Sequence, residues 1–211
     1  MDIKRAFLIA VSLVVVFKIH DYVDHQTHHH TPIVIVSEQT VPVAVIAEEP
    51  RPALPEIDVE QMHCLAKNIY FEARGESTEG KVAVANVVLN RVDHWHYPET
   101  VCGVVYQAKL SQWWLEHNGR EVPVRNMCQF SWYCDGKSDD LQLTDEFGRV
   151  IKANMESWTE SIEIARLALL GQLTDLTHGA THYYNPRLAQ PLWAVHYKET
   201  ATIDNHCFHK M

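Results

Sequence analysis

Cys64-Leu65-Ala66-Lys67-Asn68-Ile69-Tyr70-Phe71-Glu72-Ala73-Arg74-Gly75-Glu76 is the stretch whose reading decides the fold. With Met62 before it, the apolar positions Met62, Leu65, Ala66, Ile69, Tyr70 and Ala73 recur at steps of three and one. That spacing places them on one face of an α-helix. Asp58 is the expected N-cap and Gly75 the expected stop. Glu72 falls on the wheel beside Leu65, at the edge of the apolar stripe. A carboxylate there is partly desolvated, which raises its pKa and suits it to give a proton near neutral pH. The bland alternative is a solvated flank residue with no chemistry.

Working outward, a second helix is expected from Ser77 or Thr78 through Val82, Ala85, Val88, Leu89 and Val92. Its β-branched content suits a strand, but its length without a turn signal argues for a buried helix. A third helix is expected to start at Ser157, where Ser157-Trp158-Thr159-Glu160 has capping-box spacing, and to close at Gly171. Residues 107–127 and 135–156 read as looser stretches. From Gly179 onward, aromatic and polar residues alternate, predicting short strands and turns. The fold class is therefore α+β, mainly helical with a minor β-sheet, in one domain spanning 59–211.

The first 58 residues differ. Lys4 and Arg5 precede an apolar run from Ala6 to Phe17 that Lys18 ends. Twelve helical residues rise about 18 Å, against a hydrocarbon core of about 30 Å. The run fits a signal segment, and no small-x-small cleavage site follows it. Residues 1–19 read as a signal anchor, with a cleaved signal peptide as the alternative. Either implies export: periplasmic, or held at the inner membrane and facing the cell wall. Residues 20–58 carry Pro32, Pro42, Pro50, Pro52 and Pro55 among acidic residues, and read as a flexible linker.

Composition narrows the function classes. The chain of 211 residues has 18 Lys and Arg against 27 Asp and Glu, a net charge of -9, and neither part has a basic stripe. A nucleic-acid partner is not expected. The 14 histidines raise the question of metal, but five lie before residue 31 and no His-Glu-x-x-His occurs. His94-Trp95-His96 lacks a third ligand, and Cys128 and Cys134 are too far apart in sequence for a zinc knuckle. His182, His196, His206 and His209 remain the set that folding has to bring together for a metal site. No cofactor is expected. In an oxidising compartment the cysteines 64, 102, 128, 134 and 207 read as disulfide partners with one left over. Cys128 and Cys134 are placed to close a short loop, while a reduced, buried Cys64 is the alternative for that helix. Ser131 and Cys128 lack the local signature of a nucleophile. Trp113, Trp114 and Trp158 are read as core packing rather than sugar platforms.

Glycoside cleavage usually takes two carboxylates. Glu76 and Glu79 are near Glu72 in sequence, but Gly75 intervenes, so the spacing does not set Glu76 opposite Glu72.

Several blocks together resemble the SleB-type cell-wall hydrolases, the spore-cortex-lytic enzyme family. They are Cys64 to Glu76, Glu79-Gly80-Lys81-Val82-Ala83-Val84-Ala85, Val87-Val88-Leu89-Asn90-Arg91-Val92 and Pro98 to Gln107. Cys128-Gln129-Phe130-Ser131-Trp132, Cys134-Asp135-Gly136, Tyr184-Asn185-Pro186 and Asn205-His206-x-Phe208 complete the set. The resemblance covers residues 60–210. It implies a lysozyme-like fold and peptidoglycan as the partner. Glu72 would be the catalytic acid, cleaving between N-acetylmuramic acid and N-acetylglucosamine as a lytic transglycosylase. The substrate's C6 hydroxyl would then serve as the nucleophile, which removes the need for a second carboxylate. Gln129, Phe130, Ser131, Tyr184, Asn185 and His206 match blocks expected to line the cleft. The layout fits cell-wall remodelling or a phage-type endolysin. The rival classes are a metal-dependent wall amidase or peptidase, and a non-catalytic wall-binding protein.

Overall fold

The structure, a computed structural model, describes residues 56–211. The signal-anchor segment 1–19 and the linker up to residue 55 lie outside the described residues. Among the described residues, no helix is long and apolar enough to cross a membrane.

Helix α1 (Val59–Ala73) forms where the apolar spacing predicts it, and Asp58 caps it by accepting from the backbone N–H groups of Glu60 and Gln61. Leu65, Ala66, Ile69 and Tyr70 are fully buried, and α1 is the centre of the molecule. Burial of a side chain such as Leu65 or Ile69 contributes about 1.5–3 kcal/mol. Helix α2 (Thr78–Val92) is capped by Ser77. It is apolar on two faces because it packs on two sides. Val82, Ala85 and Val88 join the main core, and Ala83 and Val87 meet Phe208 and Ala180 in a second cluster. The short α3 (Val101–Val105) adds Val101, Val104 and Val105 to the main core.

The expected loose stretch 107–127 is structured. Strands β1 (Ala108–Leu110) and β2 (Pro123–Cys128) pair antiparallel around α4 (Gln112–Asn118), which buries no residue. A 3₁₀ turn, Ser131–Cys134, follows β2. Helix α5 (Lys152–Leu169) begins five residues before the expected Ser157. The capping-box reading fails because Ser157 already lies inside the helix, where its hydroxyl donates to the carbonyl of Arg74 and ties α5 to the end of α1. Gly171 follows α5 with φ +66°, in the left-handed region that favours glycine. The buried Lys81 of α2 pairs with Glu160 of α5, and Thr78 donates to the same carboxylate. Trp158 is buried edge-on to Tyr70, as a core residue. Trp113 is 56% exposed and Trp114 38%, so core packing does not describe them.

Strands β3 (His182–Tyr184), β4 (Lys198–Ile203) and β5 (His206–Lys210) form an antiparallel sheet with β5 in the middle. Phe208 fixes this sheet on α2. The turn at Asp204, with φ +50°, docks on the start of α2, where the Asp204 carboxylate accepts from the Ser77 N–H and hydroxyl. Gly80 is required there, since a Cβ would lie 2.3 Å from an Asp204 carboxylate oxygen. The fold is thus a helical core with two small sheets, in keeping with the α+β expectation.

Two disulfides are present, Cys64–Cys102 and Cys128–Cys134, and Cys207 is free. The reduced Cys64 alternative is excluded. The first staple joins α1 to α3 and the second closes the loop expected from the spacing.

Candidate active site

Glu72 lies one turn beyond Asn68 on α1, and the two share a face. Asn68 is buried and accepts a 3.0 Å hydrogen bond from the Trp132 indole. Phe71 stacks on that indole, with ring centroids 4.7 Å apart. Trp132 is thereby locked as one wall of a hollow of about 420 Å³ that Glu72, Phe71, Arg74 and Ser131 also line. Asp135, Lys137 and Gln142 complete its rim. The Cys128–Cys134 bridge holds both ends of the loop that carries Ser131 and Trp132.

The opposite side of Glu72 is supplied by the sheet. The Tyr183 hydroxyl donates to Glu72 Oε2 at 2.9 Å. Burial raises the Glu72 pKa, opposed by that hydrogen bond and by the positive charge of Arg91. Tyr183 is pushed well above its ordinary value by burial and by the neighbouring carboxylate, so it remains a donor. Oε2 is engaged, and Oε1 is the oxygen left for a ligand among the described residues. The arrangement is a protonatable carboxyl held at the wall of a cleft.

The sequence-selected residues divide. Ser131 lines the hollow with Glu72. His206 is buried and packs edge-on against Tyr183, with centroids 5.2 Å apart. Phe130 is buried in the core beside Arg91. Gln129 is exposed, and its backbone N–H donates to the Gln107 carbonyl. Tyr184 follows Tyr183 on β3, and successive strand side chains point to opposite faces. It packs instead against Trp193 and His209. The Asn185 side chain accepts from the Arg187 N–H in a turn. Glu76 is occupied, because the Asn205 amide donates to both of its carboxylate oxygens. Sequence reasoning passed over Tyr183 and Arg91.

Of the four histidines that a metal site requires, His182 and His209 join an aromatic cluster with Trp193 and Tyr197. Among the described residues, no group of three His, Cys, Asp or Glu is placed to hold a metal ion. His182 is pushed down to about 4 by burial and by the charges of Arg91 and His209. Its folded pKa lies below the unfolded value of about 6.5, so the unfolded chain binds more protons between those values. The stability it contributes is full above that window and is lost as pH falls through it. Melting temperature is expected to drop between pH 6.5 and 4.5, and His182→Phe to flatten that part of the curve. An unchanged slope in the variant would count against this assignment.

The chain is similar in sequence to spore cortex-lytic enzymes. The spore cortex-lytic enzyme of Halalkalibacterium halodurans is 29% identical over 146 residues, covering 68% of this chain and 33% of that protein. That of Bacillus cereus is 28% identical over 148 residues, covering 69% and 42%. This chain thus spans less than half the length of these two relatives. The catalytic domain of the Bacillus cereus SleB protein aligns with 77% of this chain and 100% of its own, at a TM-score of 0.46 and 22% identity. A family model described as Cell Wall Hydrolase matches residues 75–209, beginning three residues after Glu72. The chain belongs to the cell wall hydrolase family.

Proposed function

We propose that the chain cleaves peptidoglycan glycan strands between N-acetylmuramic acid and N-acetylglucosamine, as a lytic transglycosylase with Glu72 as general acid and base. The observation that carries this reading is the Glu72 carboxyl on the cleft wall, held by Tyr183, with its pKa raised by burial. Glu72 gives its proton to the glycosidic oxygen as the bond to the muramic anomeric carbon breaks. The muramic C6 hydroxyl then attacks that carbon, and its proton passes to the Glu72 carboxylate. The product is a 1,6-anhydro end, and the enzyme returns to its starting form. Ser131 and Trp132 shape the wall against which the strand lies, and Gln129 extends it outward. Phe130 and His206 back the site, packed beside Arg91 and against Tyr183.

A second reading, hydrolysis, is favoured by Asp135 on the rim of the same hollow. Its pKa is lowered by hydrogen bonds from the Lys137 backbone and side chain, so it is an ionised candidate base for water. Mass spectrometry of soluble muropeptides separates the two. Anhydro-muramic ends are expected, and new reducing muramic ends would move the assignment to a muramidase using Asp135. Free amines without glycan cleavage would point instead to an amidase or peptidase, and sacculus binding without soluble products to a wall-binding protein.

In the same reading, residues 1–19 anchor the chain at the membrane, 20–58 tether it and 59–211 act on the wall. That layout serves wall remodelling or endolysin-type lysis. Fractionation of the full chain, with and without residues 1–19, tests the anchor.

A further inference from the structure

We propose that Arg91 is a positioning residue for Glu72: a buried guanidinium at the end of α2 that pins β3, and with it Tyr183, and stands as the countercharge when Glu72 has released its proton. This rests on the reading of Glu72 as the proton donor.

The geometry starts from burial. Arg91 is 5% exposed, and among the described residues no carboxylate pairs with it. Its Nε donates to the Thr181 carbonyl at 2.7 Å, two residues before Tyr183. Its guanidinium lies over the rings of Tyr97 and Phe130, at 5.4 and 5.0 Å from their centroids. Nη1 is buried without a hydrogen-bond partner. Asn90, its neighbour, donates to Asp175, Thr177 and the Ala180 carbonyl, so the same turn of α2 fixes the whole approach to β3.

A buried charge is costly unless it is hydrogen-bonded or paired, and among the described residues Arg91 is held by the Thr181 carbonyl and two aromatic rings with no carboxylate in an ion pair. Burial lowers the Arg91 pKa, but from a value high enough that the group stays charged. The titratable groups facing it are Tyr183, Tyr97, Glu72 and His182. Those facing Glu72 are Tyr183 and Arg91. Glu72 is thus the carboxylate whose ionisation Arg91 favours. In the proposed reaction that charge appears on Glu72 as its proton leaves. An interaction stronger in the transition state than in the ground state accelerates the step.

The test uses the full chain with Glu carboxyl groups labelled with ¹³C, the Glu72 signal being assigned by its loss in Glu72→Gln. In Arg91→Met, the Glu72 titration and the alkaline limb of the activity profile are expected to move to higher pH. The kcat on sacculi should fall by about tenfold to a hundredfold, as for misplaced catalytic groups. Arg91→Lys should hold the titration near that of the wild type while kcat stays low and KM is kept, because lysine has no Nε–H at the position that donates to the Thr181 carbonyl. A folded Arg91→Met whose Glu72 titrates as in the wild type overturns the proposal and leaves Arg91 a structural pin. If Arg91→Met does not fold, Arg91→Lys decides, and an undiminished kcat there overturns it. The titration is read on the carboxyl itself, so it stands apart from whether Glu72 is the proton donor, which turnover by Glu72→Gln settles.

Discussion

Glu72→Gln is expected to lower glycan-strand cleavage by about 10²- to 10⁴-fold, the range that a positioned general acid supplies. Glutamine keeps the shape of the side chain and still accepts from Tyr183, but it has no proton to give and no carboxylate to take one back. The fold should survive. Glu72 sits at the edge of the core, and the residues beneath it, Ile69 and Ala73, are untouched. Circular dichroism and a melting temperature within a few degrees of the wild type would show this. Sacculus clearance should fall with no new class of product. Turnover close to the wild-type rate would remove Glu72 from the chemistry and leave Asp135 as the carboxyl on the same hollow.

Loss of the Cys64–Cys102 bridge is the second large expectation, and it is one of stability. The bridge spans 38 residues of sequence. Loop-closure entropy for that length corresponds to about 4 kcal/mol at room temperature, most of it through the unfolded chain. Cys64 is buried on α1, and the Cys102 backbone N–H already donates to Gln61, so the α1–α3 contact keeps some cohesion without the bridge. The variant Cys64→Ala with Cys102→Ala should melt about 10 °C or more lower, and reductant, which opens both bridges, should lower the wild type at least as far. A melting temperature unmoved by reductant would mean that the bridge does not form in solution. The Cys128–Cys134 bridge closes a loop of only six. Its loss should act less on global stability than on cleavage, through the Ser131–Trp132 wall.

The sequence was most readable where local physics decides. The apolar spacing of α1, the Asp58 cap and the Ser77 start of α2 need no long-range information, and the structure agrees with each. The α5 start was not readable because Ile151 caps it without a side-chain bond, while Ser157, the local cue, serves a tertiary contact. Cys64 was ambiguous for a similar reason, since nothing near it in sequence points to Cys102. Glu72 was singled out by its place beside the stripe, but its surroundings were not. Tyr183 and Tyr184 are adjacent, alike and both on β3. Which one meets Glu72 depends on the pairing of β3 with β5, a register that a one-residue slip would reverse. Arg91 was hidden in a helix whose two apolar faces leave no polar side for a charge to mark.

The sheet order β3-β5-β4 carries a consequence for how the enzyme comes into being. The strand that is last of the three in the chain is the middle one in space. As the polypeptide emerges from a ribosome or an export channel, β3 and β4 have nothing to pair with until His206–Lys210 has followed them. The helical core can collapse earlier, with Glu72 already on α1, but Tyr183 is not held against it. A nascent or truncated chain would thus present a folded core without a completed reaction centre. Chain order itself delays the contact of Tyr183 with Glu72 until β5 has been made.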